Sequence, residues 1–121
     1  MDNKKFNLFL DRLLEKTEQG KLEWEKTADR NTFLLVLEDS AVSVTYTIDA
    51  GVDMNGDTFS IWYYIFDFRN ESGEVVESVK VSHKDKKDGS FRKAERIFNL
   101  ARNQSLKPHQ TVDRILEQLA A

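Results

Sequence analysis

The chain has 121 residues with 40% hydrophobic and 32% charged residues, one Pro, five Gly, no Cys and a net charge of −3. That length and balance suit one domain, residues 1–121, with a core of its own and little room for disordered linkers. The missing thiols exclude a disulfide framework, a thiolate metal site and a Cys nucleophile.

Phe6, Phe9, Leu10, Leu13, Leu14 and Thr17 recur at helical spacing and predict an amphipathic helix from Asn3 to Glu18, with Gly20 as its stop. Lys21 to Glu25 alternates, with Leu22 and Trp24 on one side, and reads as a short extended connector or an edge strand. Thr32 to Leu37 is a short apolar strand. Ala41 to Asp49 puts Val42, Val44, Tyr46 and Ile48 on one face and Ser43, Thr45 and Thr47 on the other, the pattern of a half-buried strand. Asn55-Gly56 signals a hairpin inside a connection, Ala50 to Asp57, that exceeds the minimal length. Thr58 to Phe68 alternates between two apolar sets: Phe59, Ile61, Tyr63 and Ile65 on one face, Trp62, Tyr64, Phe66 and Phe68 on the other. Both faces of this strand must be covered or used, so it is central.

Asn70 to Gly73 turns the chain into a fourth strand, Glu74 to Val81, with Val75, Val79 and Val81 on one face. Ser90 is expected to cap a helix whose apolar side is Phe91, Ala94, Ile97, Phe98 and Ala101, ending over Ser105 to Lys107. Pro108 suits the first turn of a last helix, whose Val112, Ile115, Leu116 and Leu119 read as a buried stripe. The expected fold is α+β: a four-stranded antiparallel meander, with a fifth short edge strand if the Trp24 segment pairs. One N-terminal and two C-terminal helices pack on it, over Val42, Val44, Tyr46 and Ile48.

The other face of the meander sets Ser43, Thr45 and Thr47 beside one aromatic set. Either the N-terminal helix or the Trp24 segment covers it, or it meets a partner. Trp and Tyr are enriched at interfaces, so Trp62 and Tyr64, with Phe66 if its set is the exposed one, are the candidate anchors for a protein partner or a second copy. Charge is uneven. Residues 1–80 carry nine Lys and Arg against sixteen Asp and Glu, whereas residues 84–107 carry eight against three. Within the basic stretch, Arg92 and Arg96 share a helix face and are the candidates for phosphate contact, although a solvated face accounts for them as well.

No catalytic, cofactor or metal constellation stands out. Asp49, Asp53, Asn55 and Asp57 are oxygen-rich but lack the spacing of a calcium loop and read as a polar turn. His83 and His109 have no partners at metal-ligand spacing, and no nucleophile elbow or phosphate loop is present. Asp67 is the one acid inside the aromatic strand, with Arg69 as its expected partner. The N-terminus lacks a secretory pattern and no apolar run reaches membrane-spanning length, so a cytoplasmic protein without a membrane partner is expected.

Gly20-Lys21-Leu22-Glu23-Trp24, Asn70-Glu71-Ser72-Gly73-Glu74-Val75-Val76, Leu100-Ala101-Arg102 and the ending Val112 to Leu119 give the chain a layout that resembles short uncharacterised bacterial proteins, some of them from phage or mobile elements. The resemblance implies a bacterial or phage cytoplasmic setting and carries over no functional residue. The expectation from the residues is a non-enzymatic interaction domain of inhibitor, immunity or adaptor type. The alternatives are nucleic-acid binding through residues 84–107 and a small enzyme centred on Asp67 or a histidine.

Overall fold

The computed structural model describes residues 1–85 and 88–120. Helix α1 spans Asn3–Glu18, as the periodicity predicts. The Asp2 carboxylate caps it by accepting the Lys5 N–H at 2.7 Å. At its other end Lys21 N–H reaches Lys16 O and Gly20 N–H reaches Thr17 O, both at 3.1 Å. This pair of bonds needs a left-handed residue, and Gly20 supplies it at φ +70°.

Five strands follow: β1 (Trp24–Lys26), β2 (Thr32–Val36), β3 (Ala41–Val52), β4 (Thr58–Arg69) and β5 (Val75–Ser82). They form one antiparallel sheet in the order β1-β2-β3-β4-β5. The Trp24 segment is therefore a fifth strand and not a connector. It is held from the side as well as by β2: Trp24 N–H donates to Gln104 Oε1, the Ser105 hydroxyl donates to Trp24 O at 2.9 Å, and the buried indole N–H donates to Thr17 Oγ1 at 3.2 Å. β4 is central as expected, paired with β3 along its length and with β5 from Tyr63 onward.

Helices α2 (Ser90–Leu106) and α3 (Pro108–Ala120) complete the chain. Gly89, not Ser90, is the N-cap residue of α2, and the Ser90 N–H is taken by Asp88 Oδ1. Among the described residues no helix is long and apolar enough to cross a membrane.

α1 and α2 both pack on one face of the sheet. The β3–β4 register decides which residues they cover: Val44 faces Phe66, Val42 faces Phe68 and Tyr46 faces Tyr64. The even-numbered aromatic set therefore shares the helix-covered face with Val42 and Val44. Phe6 of α1 meets Phe66 edge-on at 5.7 Å, Phe9 meets Phe68 at 4.8 Å, and Phe98 of α2 packs on both Phe33 and Tyr64 at 5.4 Å. α1 and α2 are tied to each other by the Asp11–Lys93 ion pair at 2.7 Å and by the Asn7 amide donating to Asp88 at 3.0 Å.

Three expectations are corrected here. Tyr64 and Phe66 are buried in the core and present no surface to a partner. Ile48 lies beyond the reach of the helices and is exposed, because β3 and β4 continue past them as a two-stranded arm ending at Asp53–Asp57. The stripe of α3 is exposed, and no described residue of that helix is buried. Among the described residues no helix covers the hydroxyl face: Ser43, Thr45 and Thr47 sit with Ile65, Tyr63 and Ile61, the aromatic strand's other set.

Candidate functional site

Helix α3 begins at a sharp joint. Lys107 closes α2 in the left-handed region (φ 50°, ψ 55°), a conformation that costs a non-glycine residue about 1 kcal/mol or more. Pro108 follows in the first turn, where it has no N–H to leave unpaired. Val112, Ile115, Leu116 and Leu119 then recur at i, i+3, i+4 and i+7, one side of the helix. They are 52%, 48%, 60% and 77% exposed. A 13-residue helix is marginal in water on its own, and an amphipathic one gains its stability by burying the apolar side. Here that side is bare. Asp113 and Glu117, four residues apart, run along one flank of it.

A second apolar surface lies on the far side of α1 from α2. Leu8, Phe9 and Leu13 of α1, with Leu22, Leu35 and Leu37, line a groove of about 380 Å³. Leu8 and Leu37 are exposed. Lys5, Arg12 and Lys16 edge it, spaced seven and four residues apart and so in a row along the helix. No acid lines it. The α2-facing side of α1 is the opposite one, carrying Asn7 and Asp11.

The residues singled out by sequence are dispersed. Trp62 stacks on His83 (3.6 Å between rings, 8° between planes), and the Trp62 backbone N–H donates to His83 Nδ1 at 3.2 Å. With Phe91, Arg92 and Glu95 these two line a hollow of about 540 Å³ between β4 and the start of α2. Trp62 and Arg92 are thus brought together; Tyr64, Phe66 and Arg96 are not in that lining. Burial, and after it the neighbouring Glu95 carboxylate, pushes the Tyr64 phenol up to about 12. Lys93 is paired with Asp11, and Lys86 and Lys87 lie outside the described residues.

On the helix-free face Asp67 accepts a hydrogen bond from the Ser78 hydroxyl, while the Arg69 guanidinium donates to Gly73 O. The expected Asp67–Arg69 pair is replaced by these two contacts. Tyr63 donates to Asp49 at 2.8 Å; that bond holds its phenol above the ordinary range, with burial and the Asp49 charge adding to it. Asp53 shapes the hairpin tip by accepting the Asn55 and Asp57 N–H groups at 2.9 Å. Among the described residues no three His, Asp or Glu side chains converge to hold a metal.

No protein-family model, curated protein or solved structure matches the chain. The surfaces themselves carry the functional argument. Sequence reasoning missed the α1 groove, although its signal was present: cations at Lys5, Arg12 and Lys16 in register with Leu8, on the side of α1 that its inward stripe does not use.

Proposed function

We propose that this chain is a non-enzymatic protein-interaction domain, binding a macromolecular partner as an inhibitor, immunity factor or adaptor does, and that α3 is its contact element. The observation that carries the reading is the exposed Val112-Ile115-Leu116-Leu119 stripe on a helix with no buried residue. Contiguous apolar patches on a protein surface are docking sites far more often than accidents. An amphipathic helix laid in an apolar groove is a recurrent mode of recognition, read out through residues at i, i+3, i+4 and i+7. This replaces Trp62 and Tyr64 as principal anchors. A bacterial or phage cytoplasm remains the setting that goes with the reading.

The test is partner capture by the full chain and by Leu116→Glu with Leu119→Glu. Neither residue supports the core, so in dilute protein the thermal unfolding transition is expected to stay in place while capture is lost. Unchanged capture overturns the assignment to α3. Binding that instead falls steeply with salt and with Arg92→Glu and Arg96→Glu would mark a nucleic-acid ligand.

A further inference from the structure

We infer that the partner of α3 is a second copy of this chain, and that each α3 seats in the basic-edged groove beside α1 of the other copy. The inference rests on the reading of α3 as the contact element and names what it contacts.

Two surfaces on the same molecule complement each other in shape and charge. The groove is apolar along its floor and is edged by Lys5, Arg12 and Lys16, with no acid in its lining. The stripe of α3 is apolar and is flanked by Asp113 and Glu117. The acids are four residues apart, and so are Arg12 and Lys16. On both helices that spacing is about 6 Å of rise, so the two acids match the two cations in the one helix direction that turns the Asp113–Glu117 flank toward α1. The lengths agree as well. The 13 residues of α3 span about 20 Å, and Lys5 to Lys16 spans about 17 Å. The hollows lined by Glu95 are poorer receptors for an apolar stripe, because their linings are more polar: one sets Asp85 and Glu95 beside Arg92, the other sets Glu95 with Arg30 and Arg102.

Within one chain neither surface has cover: α3 keeps its stripe exposed, no described residue of it is buried, and Leu8 and Leu37 of the groove are exposed. Exchange with a second copy covers both. It is also reciprocal: the same stripe and the same groove are used twice about a two-fold axis, which doubles the buried area and closes the assembly.

The experiment is sedimentation of the full chain across concentrations up to about 100 μM, with charge-reversed variants mixed in pairs. The chain is expected to sediment as a dimer. Leu116→Glu is expected to weaken the dimer roughly a thousandfold, since a hot-spot loss of about thirtyfold is counted twice in a symmetric pair. A chain with Arg12→Glu and Lys16→Glu, and another with Asp113→Lys and Glu117→Lys, are each expected to be monomeric because groove and helix then repel. Mixed together, they restore both contacts and are expected to form a heterodimer. A monomeric wild-type chain overturns the inference. So does a wild-type dimer that survives both reversals, or one whose reversed variants fail to pair when mixed. If the wild type is monomeric and Leu116→Glu still abolishes capture of a different protein, the exchange is wrong and the reading of α3 stands. If Leu116→Glu alters neither the oligomeric state nor any capture, both fall.

Discussion

α2 and α3 follow one another with a single residue between them, and both carry apolar residues at helical spacing. α2 buries Ala94, Ile97, Phe98 and Ala101, whereas α3 buries nothing. The difference lies in what each helix finds. α2 lies over the sheet beside α1, and its last turn is pinned to β1 through Gln104 and Ser105. α3 leaves at the Lys107 joint with no sheet beneath it. A hydrophobic period reports that a face is to be taken from water; it does not report which surface will do so.

The largest effect that separates the two helices is a core truncation in α2. Ile97 is fully buried, and Ile97→Ala is expected to destabilise the fold by about 2–5 kcal/mol, through lost transfer energy and the cavity left behind. Chemical denaturation should show a lower midpoint with an unchanged slope. A loss below about 1 kcal/mol would mean that α2 is not seated as described. A smaller effect tests the pinning of β1. Thr17→Val keeps the shape but removes the acceptor of the buried Trp24 indole N–H, and is expected to cost about 1–3 kcal/mol. Near-wild-type stability in the same titration would show that the indole finds another partner.

Much of this layout was legible. α1 is bounded where its periodicity ends, and the apolar side of α2 is the buried one. The identity of the inward aromatic set was not, for a specific reason. Both faces of β4 are apolar, so its alternation cannot be assigned from β4 alone, and the parity of the hairpin loop decides it. A two-residue Asn55-Gly56 turn would set Val44 opposite Asp67. The five-residue loop Asp53–Asp57 sets Val44 opposite Phe66. Asp53 holds that longer loop by accepting two N–H groups, and Gly56 at φ +81° lets the chain turn inside it. That one-residue shift of register put Tyr64 and Phe66 under the helices, with Trp62 exposed at their edge, and left Phe59, Ile61, Tyr63 and Ile65 on the bare face. The α3 stripe misled for a different reason: its pattern is that of a buried helix, and the surface that covers it is not in the chain's own layer.

The junction between α1 and α2 should respond to acid. Hydrogen bonds from the Asn7 amide and from Ser90 lower the Asp88 carboxyl to about 2 from its usual 3.8. A lowered folded value means the ionised form is favoured by folding. Its contribution is therefore present above about pH 4 and lost as the pH falls toward 2. Asp88 is exposed, so the effect is expected to be smaller than either truncation above. Unfolding midpoints measured across that window should fall less steeply for Asp88→Asn than for the wild type. Parallel slopes would mean that the carboxylate does not hold the two helices together.

The smallest expected effect is the most discriminating. Ile115 in α3 is the counterpart of Ile97 in α2, the same side chain on the same kind of stripe, but about half exposed. In dilute protein, below the concentration at which copies associate, Ile115→Ala has no packed surroundings to disturb, and alanine is the better helix former. The unfolding free energy should then move by no more than about 0.5 kcal/mol. As the concentration rises into the range of association, wild-type stability should climb by mass action while that of the variant climbs less. The two curves are expected to coincide when dilute and to diverge when concentrated. A loss at low concentration as large as that of Ile97→Ala would mean that the stripe is already covered within one chain, and the contrast between the two helices would collapse.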